Sequence, residues 1–181
     1  MSAMENRQYV KVFIGVDPGK SGSMAVLYTA GDWYQVDDVR QDNGWMHRDR
    51  DEIVLLPFGE AEFLAELRNV ERLAKSGIVV KAVVEHVGGM PGQSAPASFN
   101  FGDNFGFTRG LLTALGIPYE LVRPQKWKKE FSCTSDKNTA IDVAKRLFPG
   151  VNLKRTPRCT KDDDGHAEAL LIAEFCRRRL A

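Results

Sequence analysis

Two carboxylates of this sequence are predicted to lie at the ends of apolar strands. Asp17 follows the β-branched run KVFIGV and precedes Pro-Gly, where the chain must turn and an acid can point into open space. Glu85 lies in the apolar run IVVKAVVEHV, and strand alternation places it on the same face as Val83 and Val87. A carboxylate on such a face loses hydration unless a partner compensates its charge. A bound cation is the simplest such partner.

A third acidic group precedes and opens the last predicted helix. It consists of Asp162, Asp163, Asp164 and Glu168. Asp164 and Glu168 are four residues apart, so on a helix they project from one face with Cβ atoms roughly 5 to 6 Å apart. This spacing brings the two carboxylates close enough to address the same metal cluster.

Each acidic position also has a simpler reading. Asp17 is compatible with an ordinary turn residue, and Asp162 to Asp164 with acids that stabilise a helix N-terminus. The joint occurrence of all the acids favours a site. Carboxylates without nearby thiolates or clustered histidines select hard cations, which indicates magnesium or manganese. Two such ions are the usual device for phosphodiester hydrolysis, which is therefore the predicted reaction class.

Composition limits the class of protein. The 181 residues are 43% hydrophobic and 27% charged, which is typical of one globular domain with its own core. The three cysteines are widely spaced and have no histidines at zinc-ligand spacing, so we interpret them as reduced thiols. We find no signal peptide and no long apolar run, and we expect a cytoplasmic protein without a membrane segment. Residues 1–10 are expected to be flexible.

The charge of the chain is asymmetric. Net charge is +1, yet residues 1–120 carry 11 Lys and Arg against 16 Asp and Glu, whereas residues 121–181 carry 14 against 8. This difference allows a polyanion to meet one end of the chain, although a chance variation in surface charge gives the same numbers.

The apolar periodicity predicts an α/β fold with a mixed sheet covered by helices. Three strands come first, over 11–16, 24–28 and about 32–41, followed by a polar loop over 42–51. Helices are predicted over 60–75, 98–115, 124–130, 136–147 and 164–179, and further strands over 78–87 and 119–122. The phenylalanines at 99, 101, 105 and 107 indicate either a contact across a dimer or a place in the core.

Six blocks in this order resemble a known family. GVDPGKSG, VVEHVGGMPGQ, FGDNFGFTRGLL, RPQKWKK, DKNTAIDVAKRLFPG and DDDGHAEALLIAEF are similar to the successive blocks of phage and mitochondrial RuvC-like Holliday junction resolvases. The resemblance covers about residues 11 to 178. It implies an RNase H-like fold with a five-stranded mixed sheet, a homodimer, and paired nicks in branched DNA that leave 5′-phosphates. If the source is a phage, the protein would act in the host cytoplasm.

The resemblance also implies roles for individual residues. Asp17, Glu85, Asp164 and Glu168 would hold two Mg²⁺ ions per active site, with Mn²⁺ as a substitute, and no nucleotide cofactor would be needed. Lys137 resembles a family lysine near the scissile phosphate, with an ordinary surface lysine as the alternative. Lys20 is a further candidate for DNA binding.

The sequence departs at three places from the pattern of the family or of its bacterial members. The last acid is usually aspartate, whereas Glu168 is one methylene longer, which is compatible with a tolerated change, a shifted or weakened metal, or an inactivated protein. Some bacterial relatives have a histidine three residues before the last acid. That position is Gly165 here, so Asp164 is the better ligand and His166 is expected to face elsewhere. Bacterial relatives also carry a stacking aromatic after the strand glutamate, where this chain has Gly-Gly and leaves Met90 and Gln93 as candidate wedge residues.

A band of cations is predicted to contact the DNA backbone, since cations along a groove release counterions from DNA. Its members are Lys126, Lys128, Lys129, Lys154, Arg155, Arg158 and Lys161. For each of them a solvated surface position is the alternative.

Other functions fit the sequence less well. GVDPGKSG contains Gly-Lys-Ser, but its glycines enclose three residues instead of the four of a Walker motif, and a strand follows. A sugar kinase with a similar start needs a second domain. A ribonuclease H, a branched-DNA binder that does not cut, and a structural protein remain as alternatives.

Overall fold

The computed structural model describes residues 9–19, 21–30, 52–86, 88, 92 and 94–180. The strands are β1 (Tyr9–Asp17), β2 (Ser23–Ala30), β3 (Glu52–Pro57), β4 (Val79–Glu85) and β5 (Tyr119–Val122). The helices are α1 (Glu60–Lys75), α2 (Ala95–Ala114), α3 (Pro124–Glu130), α4 (Lys137–Leu147) and α5 (Asp164–Leu180). None of the helices described is long and apolar enough to cross a membrane.

The strands form one mixed sheet in the order β3-β2-β1-β4-β5. The strand β2 is antiparallel to both β1 and β3, whereas β4 is parallel to both β1 and β5. Helices cover both faces of the sheet. The expected fold class is therefore confirmed: it is α/β, with a five-stranded mixed sheet flanked by helices.

Strand alternation divides the core into two clusters. In β1, Val12, Ile14 and Val16 belong to the cluster that includes buried residues of α1 and α2. Phe13 belongs to the cluster on the opposite face, which is built on α3, α4 and α5. This division matters for function because Asp17 follows the alternation of Phe13 and lies toward α5.

Gly15 allows α5 to lie directly against the centre of the sheet. A Cβ atom at this position would come within 2.1 Å of the Ala173 nitrogen and 2.3 Å of the Ala169 carbonyl oxygen. Any side chain would thus push α5 away from β1. Because Glu168 precedes Ala169, the close packing at Gly15 also fixes the height of Glu168 above the strand ends.

Most predicted elements lie where the sequence pattern placed them. The bounds of α1, α3 and β5 agree with the prediction. The helix α2 begins at Ala95, three residues earlier than predicted, since the hydroxyl of Ser94 caps it by accepting from the Ala97 nitrogen at 3.4 Å.

The sequence prediction missed one strand. β3, with the sequence EIVLLP, pairs with β2, and its half-buried residues do not alternate in exposure. The predicted strand over 32–41 and the predicted loop over 42–51 lie outside the described residues, as do the first eight residues of the predicted flexible N-terminus.

The phenylalanines of α2 have different environments. Phe105 and Phe107 pack against the cluster under α1, whereas the side chain of Phe99 is 73% exposed. The core interpretation thus holds for Phe105 and Phe107, and Phe99 remains available for an intermolecular contact.

Candidate active site

Asp17 and Glu85 end two neighbouring parallel strands at the centre of the sheet. The register pairs Val16 of β1 with Val84 of β4, so the two acids come next to each other at the same edge. Both side chains project toward α5, on the face of Phe13 and Val83. The parallel pairing therefore brings together two carboxylates that are far apart in sequence.

Burial makes the negative charges of both strand acids costly. Asp17 is 8% exposed and Glu85 is 6% exposed. Burial raises the pKa of Asp17 to about 6, and the negative charges of Glu168 and Asp164 add to this. Burial likewise raises the pKa of Glu85 to about 7, with further contributions from Asp17 and Glu168. The charges of the α5 acids thus act on the strand acids, with Glu168 affecting both Asp17 and Glu85.

One N–H group stabilises each strand acid. The backbone nitrogen of Gly19 donates to Asp17 Oδ1 at 2.9 Å across the Pro-Gly turn. The indole nitrogen of Trp127 donates to Glu85 Oε1 at 2.7 Å. Both hydrogen bonds lower the pKa of their carboxyl group, but burial outweighs them.

The other two acids come from α5. Asp164 is its first residue, and Glu168 follows one turn later. Their side chains are 27% and 13% exposed, and each accepts from a lysine. Lys128 contacts Glu168 Oε1 at 2.7 Å, and Lys137 forms an ion pair with Asp164. Hydrogen bonding to Asp164 raises the pKa of Lys137, which keeps this ammonium group charged.

The acids next to Asp164 have structural roles. Asp163 accepts from the backbone nitrogen of His166 at 2.9 Å and so caps the first turn of α5. Arg155 binds both oxygens of Asp163, at 2.7 and 2.9 Å. Asp162 pairs with Lys145. Asp162 and Asp163 therefore have cationic partners of their own, whereas Asp164 pairs with Lys137.

The His166 side chain contacts Ser23 of β2. Its Nδ1 atom is 2.7 Å from the Ser23 hydroxyl, and the residue is 2% exposed. Burial lowers the pKa of His166, so the ring is neutral at physiological pH. The backbone approaches closely here as well, because a Cβ atom on Gly165 would lie 2.1 Å from the Ser21 carbonyl oxygen.

The donor set fits a hard divalent cation. All four acids offer only carboxylate oxygens, the ligand type that magnesium and manganese prefer. Two of these carboxylates are buried, and a cation would stabilise their charge. Over the described ranges, however, no three His, Cys, Asp or Glu side chains are already arranged around a common point as a metal cluster. Ammonium groups hold Asp164 and Glu168 instead.

The predicted DNA-binding cations have diverse surroundings. Lys129, Lys154, Arg158 and Lys161 are exposed. Lys126 is also exposed, with its ammonium 5.8 Å from the centre of the Phe175 ring. Lys128 lies in the acidic site, and Arg155 donates to Asp163 and to the Ser21 carbonyl, so both have partners within the protein. Their contribution to DNA binding stays a prediction. Lys20, Met90 and Gln93 lie outside the described residues.

Sequence reasoning missed the contact between Trp127 and Glu85. It treated Trp127 only as the centre of a lysine-rich segment. The available signal was a large aromatic residue within KWKK, a segment too polar to bury a tryptophan by itself. An indole in such a segment requires burial from elsewhere and an acceptor for its N–H.

Solved structures similar to this chain include two of RuvC from Thermus thermophilus. "T. thermophilus RuvC in complex with Holliday junction substrate" has 16% identity and a TM-score of 0.49, with 93% of this chain and 95% of that chain covered. "Thermus thermophilus RuvC structure" has 17% identity and a TM-score of 0.48, with 92% and 95% covered. No family model and no curated protein matches the chain.

Proposed function

We propose that this chain is a metal-dependent endonuclease that resolves Holliday junctions and related branched DNA. The observation that supports the proposal is that the buried Asp17 and Glu85 end neighbouring strands, with Asp17 within electrostatic range of Asp164 and Glu168 on α5. The order of the six sequence blocks, which resembles that of phage and mitochondrial RuvC-like resolvases, supports a junction as the substrate.

Asp17, Glu85, Asp164 and Glu168 are the residues that would hold two magnesium ions. When bound, such ions supply an activated water for attack on the phosphodiester and stabilisation of the leaving oxygen, which leaves a 5′-phosphate on the product in this family. The protein contributes the geometry. The Gly19 and Trp127 N–H groups orient the strand acids, and close packing of α5 at Gly15 fixes the helix acids.

Lys128 and Lys137 place positive charge at the same edge of the sheet. Lys137 is the more accessible, with 66% of its side chain exposed, and Lys128 is 28% exposed. We infer that Lys137 contacts the scissile phosphate, since its ammonium group lies beside the acids that define the site. The exposed cations after residue 125 would bind the DNA backbone on either side.

A homodimer would allow paired cuts, one by each active site. Phe99 supports this part of the proposal because a phenylalanine with 73% exposure on a long helix is a suitable intermolecular contact. A phage origin and action in the host cytoplasm belong to the same proposal and rest on the sequence resemblance.

The test is cleavage of a labelled synthetic four-way junction with and without Mg²⁺. A linear duplex and an RNA–DNA hybrid of matched sequence are the controls for substrate choice, and Asp17→Asn is the control for a contaminating nuclease. We expect symmetric, Mg²⁺-dependent nicks in the junction alone. Cleavage of the hybrid alone would identify a ribonuclease H instead, and tight junction binding without cutting would identify a binding protein.

A further inference from the structure

The partner of Glu85 lies on a segment with no acidic residue of the site. Trp127 comes from α3, which begins two residues after β5 ends. The β5 residue Val122 is paired in register with Glu85, and the His86 nitrogen donates to the Val122 carbonyl at 2.8 Å. The β4–β5 pairing therefore fixes both the strand that carries the acid and the start of the helix that carries the indole.

The indole has little freedom to choose another acceptor. Trp127 is fully buried in the cluster under α5, and an indole N–H is a donor only. A buried donor of this kind needs a partner, and here the partner is Glu85 Oε1 at 2.7 Å. A hydrogen bond to an ionised carboxylate is about twice as strong as one between neutral groups. It also occupies one defined oxygen of the acid.

We propose that Trp127 is a positioning residue of the acidic site, whose indole N–H holds Oε1 of Glu85 and leaves Oε2 directed to a divalent cation. The inference rests on the proposed function because it assigns Glu85 to metal binding. It adds a residue that no acid-based motif contains. It also explains why a tryptophan lies between lysines in this segment. The ring is buried, whereas Lys126 is exposed and Lys128 contacts Glu168.

The first test measures metal binding without DNA. Trp127→Phe keeps an aromatic ring but removes the donor. We expect it to bind Mn²⁺ roughly tenfold more weakly than the wild type, as lost outer-shell hydrogen bonds typically do, with free Mn²⁺ followed by electron paramagnetic resonance. The matched control is Phe148→Leu, which replaces a buried phenylalanine of the same cluster with a smaller side chain. This variant should leave Mn²⁺ affinity unchanged. Equal affinities of Trp127→Phe and wild type, or equal losses in both variants, would overturn the inference.

A second measurement leaves Trp127 itself unchanged. The chain has three tryptophans, and Trp33→Phe and Trp45→Phe assign the indole N–H signals of an NMR spectrum by elimination. The Trp127 signal of the wild type should shift when Mg²⁺ is added. In Glu85→Gln without metal, the same signal should lie at a different position from that of the wild type. A Trp127 signal that moves in neither case would overturn the inference, even if Trp127→Phe does not fold.

The two proposals fail in different ways. If the wild type binds Mn²⁺ and Trp127→Phe binds it more weakly, but no branched DNA is cut, the nuclease proposal is wrong and the role of Trp127 stands. If the wild type cuts junctions while Trp127→Phe binds metal equally well, the role of Trp127 is wrong and the nuclease proposal stands.

Discussion

The strand acids, Asp17 and Glu85, differ from the helix acids, Asp164 and Glu168, in how their charge is stabilised. The strand acids are almost fully buried, accept from N–H groups and have raised pKa values. The helix acids are more exposed, and each forms an ion pair with a lysine. The sheet thus holds two carboxylates in fixed positions at an energetic cost, whereas exchangeable ammonium groups compensate the two on α5. A bound metal ion would stabilise the buried charges of the strand acids. It would compete with Lys128 and Lys137 for the helix acids.

The largest expected effect comes from neutralising a strand acid. Asp17→Asn or Glu85→Gln should reduce junction cutting on the order of 10³-fold or more, as expected when a central electrostatic group of an active site is lost. Junction affinity should stay nearly unchanged because the basic residues remain. Cleavage assays and gel-shift titrations measure the two properties. A variant that cuts at the wild-type rate would exclude its acid from the site.

The same two variants should have an opposite effect on stability. Each removes a buried charge that metal-free protein must accommodate, so the free energy of unfolding without metal should rise. Urea titration in the presence of EDTA measures this. A fall in stability would show that the strand acids contribute favourably to the fold even without a cation.

The next effect concerns the length of the last helix acid. Glu168→Ala should reduce cutting by about 100-fold, in the range for losing one stabilising group, whereas Glu168→Asp should preserve or raise activity because aspartate is usual in the family pattern. Rates at saturating Mg²⁺ compare the two. Total loss in Glu168→Asp would indicate that the metal geometry has adapted to the longer side chain and to its contact with Lys128.

The strand acids also predict a pH dependence of stability in EDTA. Their folded-state pKa values, about 6 and about 7, lie above the ordinary values of 3.8 and 4.5. The folded state therefore binds protons more tightly. The resulting stabilisation is complete below about pH 4 and is lost as pH rises through 6 to 7. Each pKa unit corresponds to about 1.4 kcal/mol, so unfolding free energy should fall by a few kcal/mol between pH 5 and pH 8.

Metal and mutation sharpen this prediction. Mg²⁺ should raise the melting temperature more at pH 8 than at pH 5, because only ionised carboxylates bind it well. The double variant Asp17→Asn, Glu85→Gln should have a flatter pH profile between 5 and 8. An unchanged slope would place the origin of the pH dependence outside the strand acids.

A smaller effect is expected at the start of α5. Arg155→Ala should lower the free energy of unfolding by about 1 to 3 kcal/mol, since it leaves Asp163 without its charged donor. Substitution of the exposed neighbour, Lys154→Ala, should leave the free energy of unfolding unchanged. It should reduce by about 1 the slope of the logarithm of the junction-binding constant against the logarithm of salt concentration. Chemical denaturation and binding at several salt concentrations test the pair. Equal stability of both variants would contradict a structural role for Arg155.

Local sequence was a good guide wherever periodicity was strong. The spacing of apolar residues predicted α1 to its ends, and the Pro-Gly turn after β1 marked Asp17 correctly as a strand-end acid. β3 was missed because its apolar run IVLL is continuous, so its sequence has no alternation of apolar and polar residues to mark a strand. The start of α2 was misplaced because the segment before it is rich in turn residues, whereas Ser94 and Pro96 in fact begin a helix.

The sequence alone determined the α/β class, the strand and helix positions of the four acids, and their chemical preference for a hard cation. These properties follow from residue type and short-range spacing. Only the tertiary structure decided which groups meet: parallel pairing of β1 with β4 joins Asp17 to Glu85, and Gly15 admits α5 with Glu168. It also decided that Trp127 donates to Glu85 and that Arg155 supports Asp163. These contacts join residues that are eight or more positions apart, or depend on one missing Cβ atom, and a local sequence pattern specifies neither.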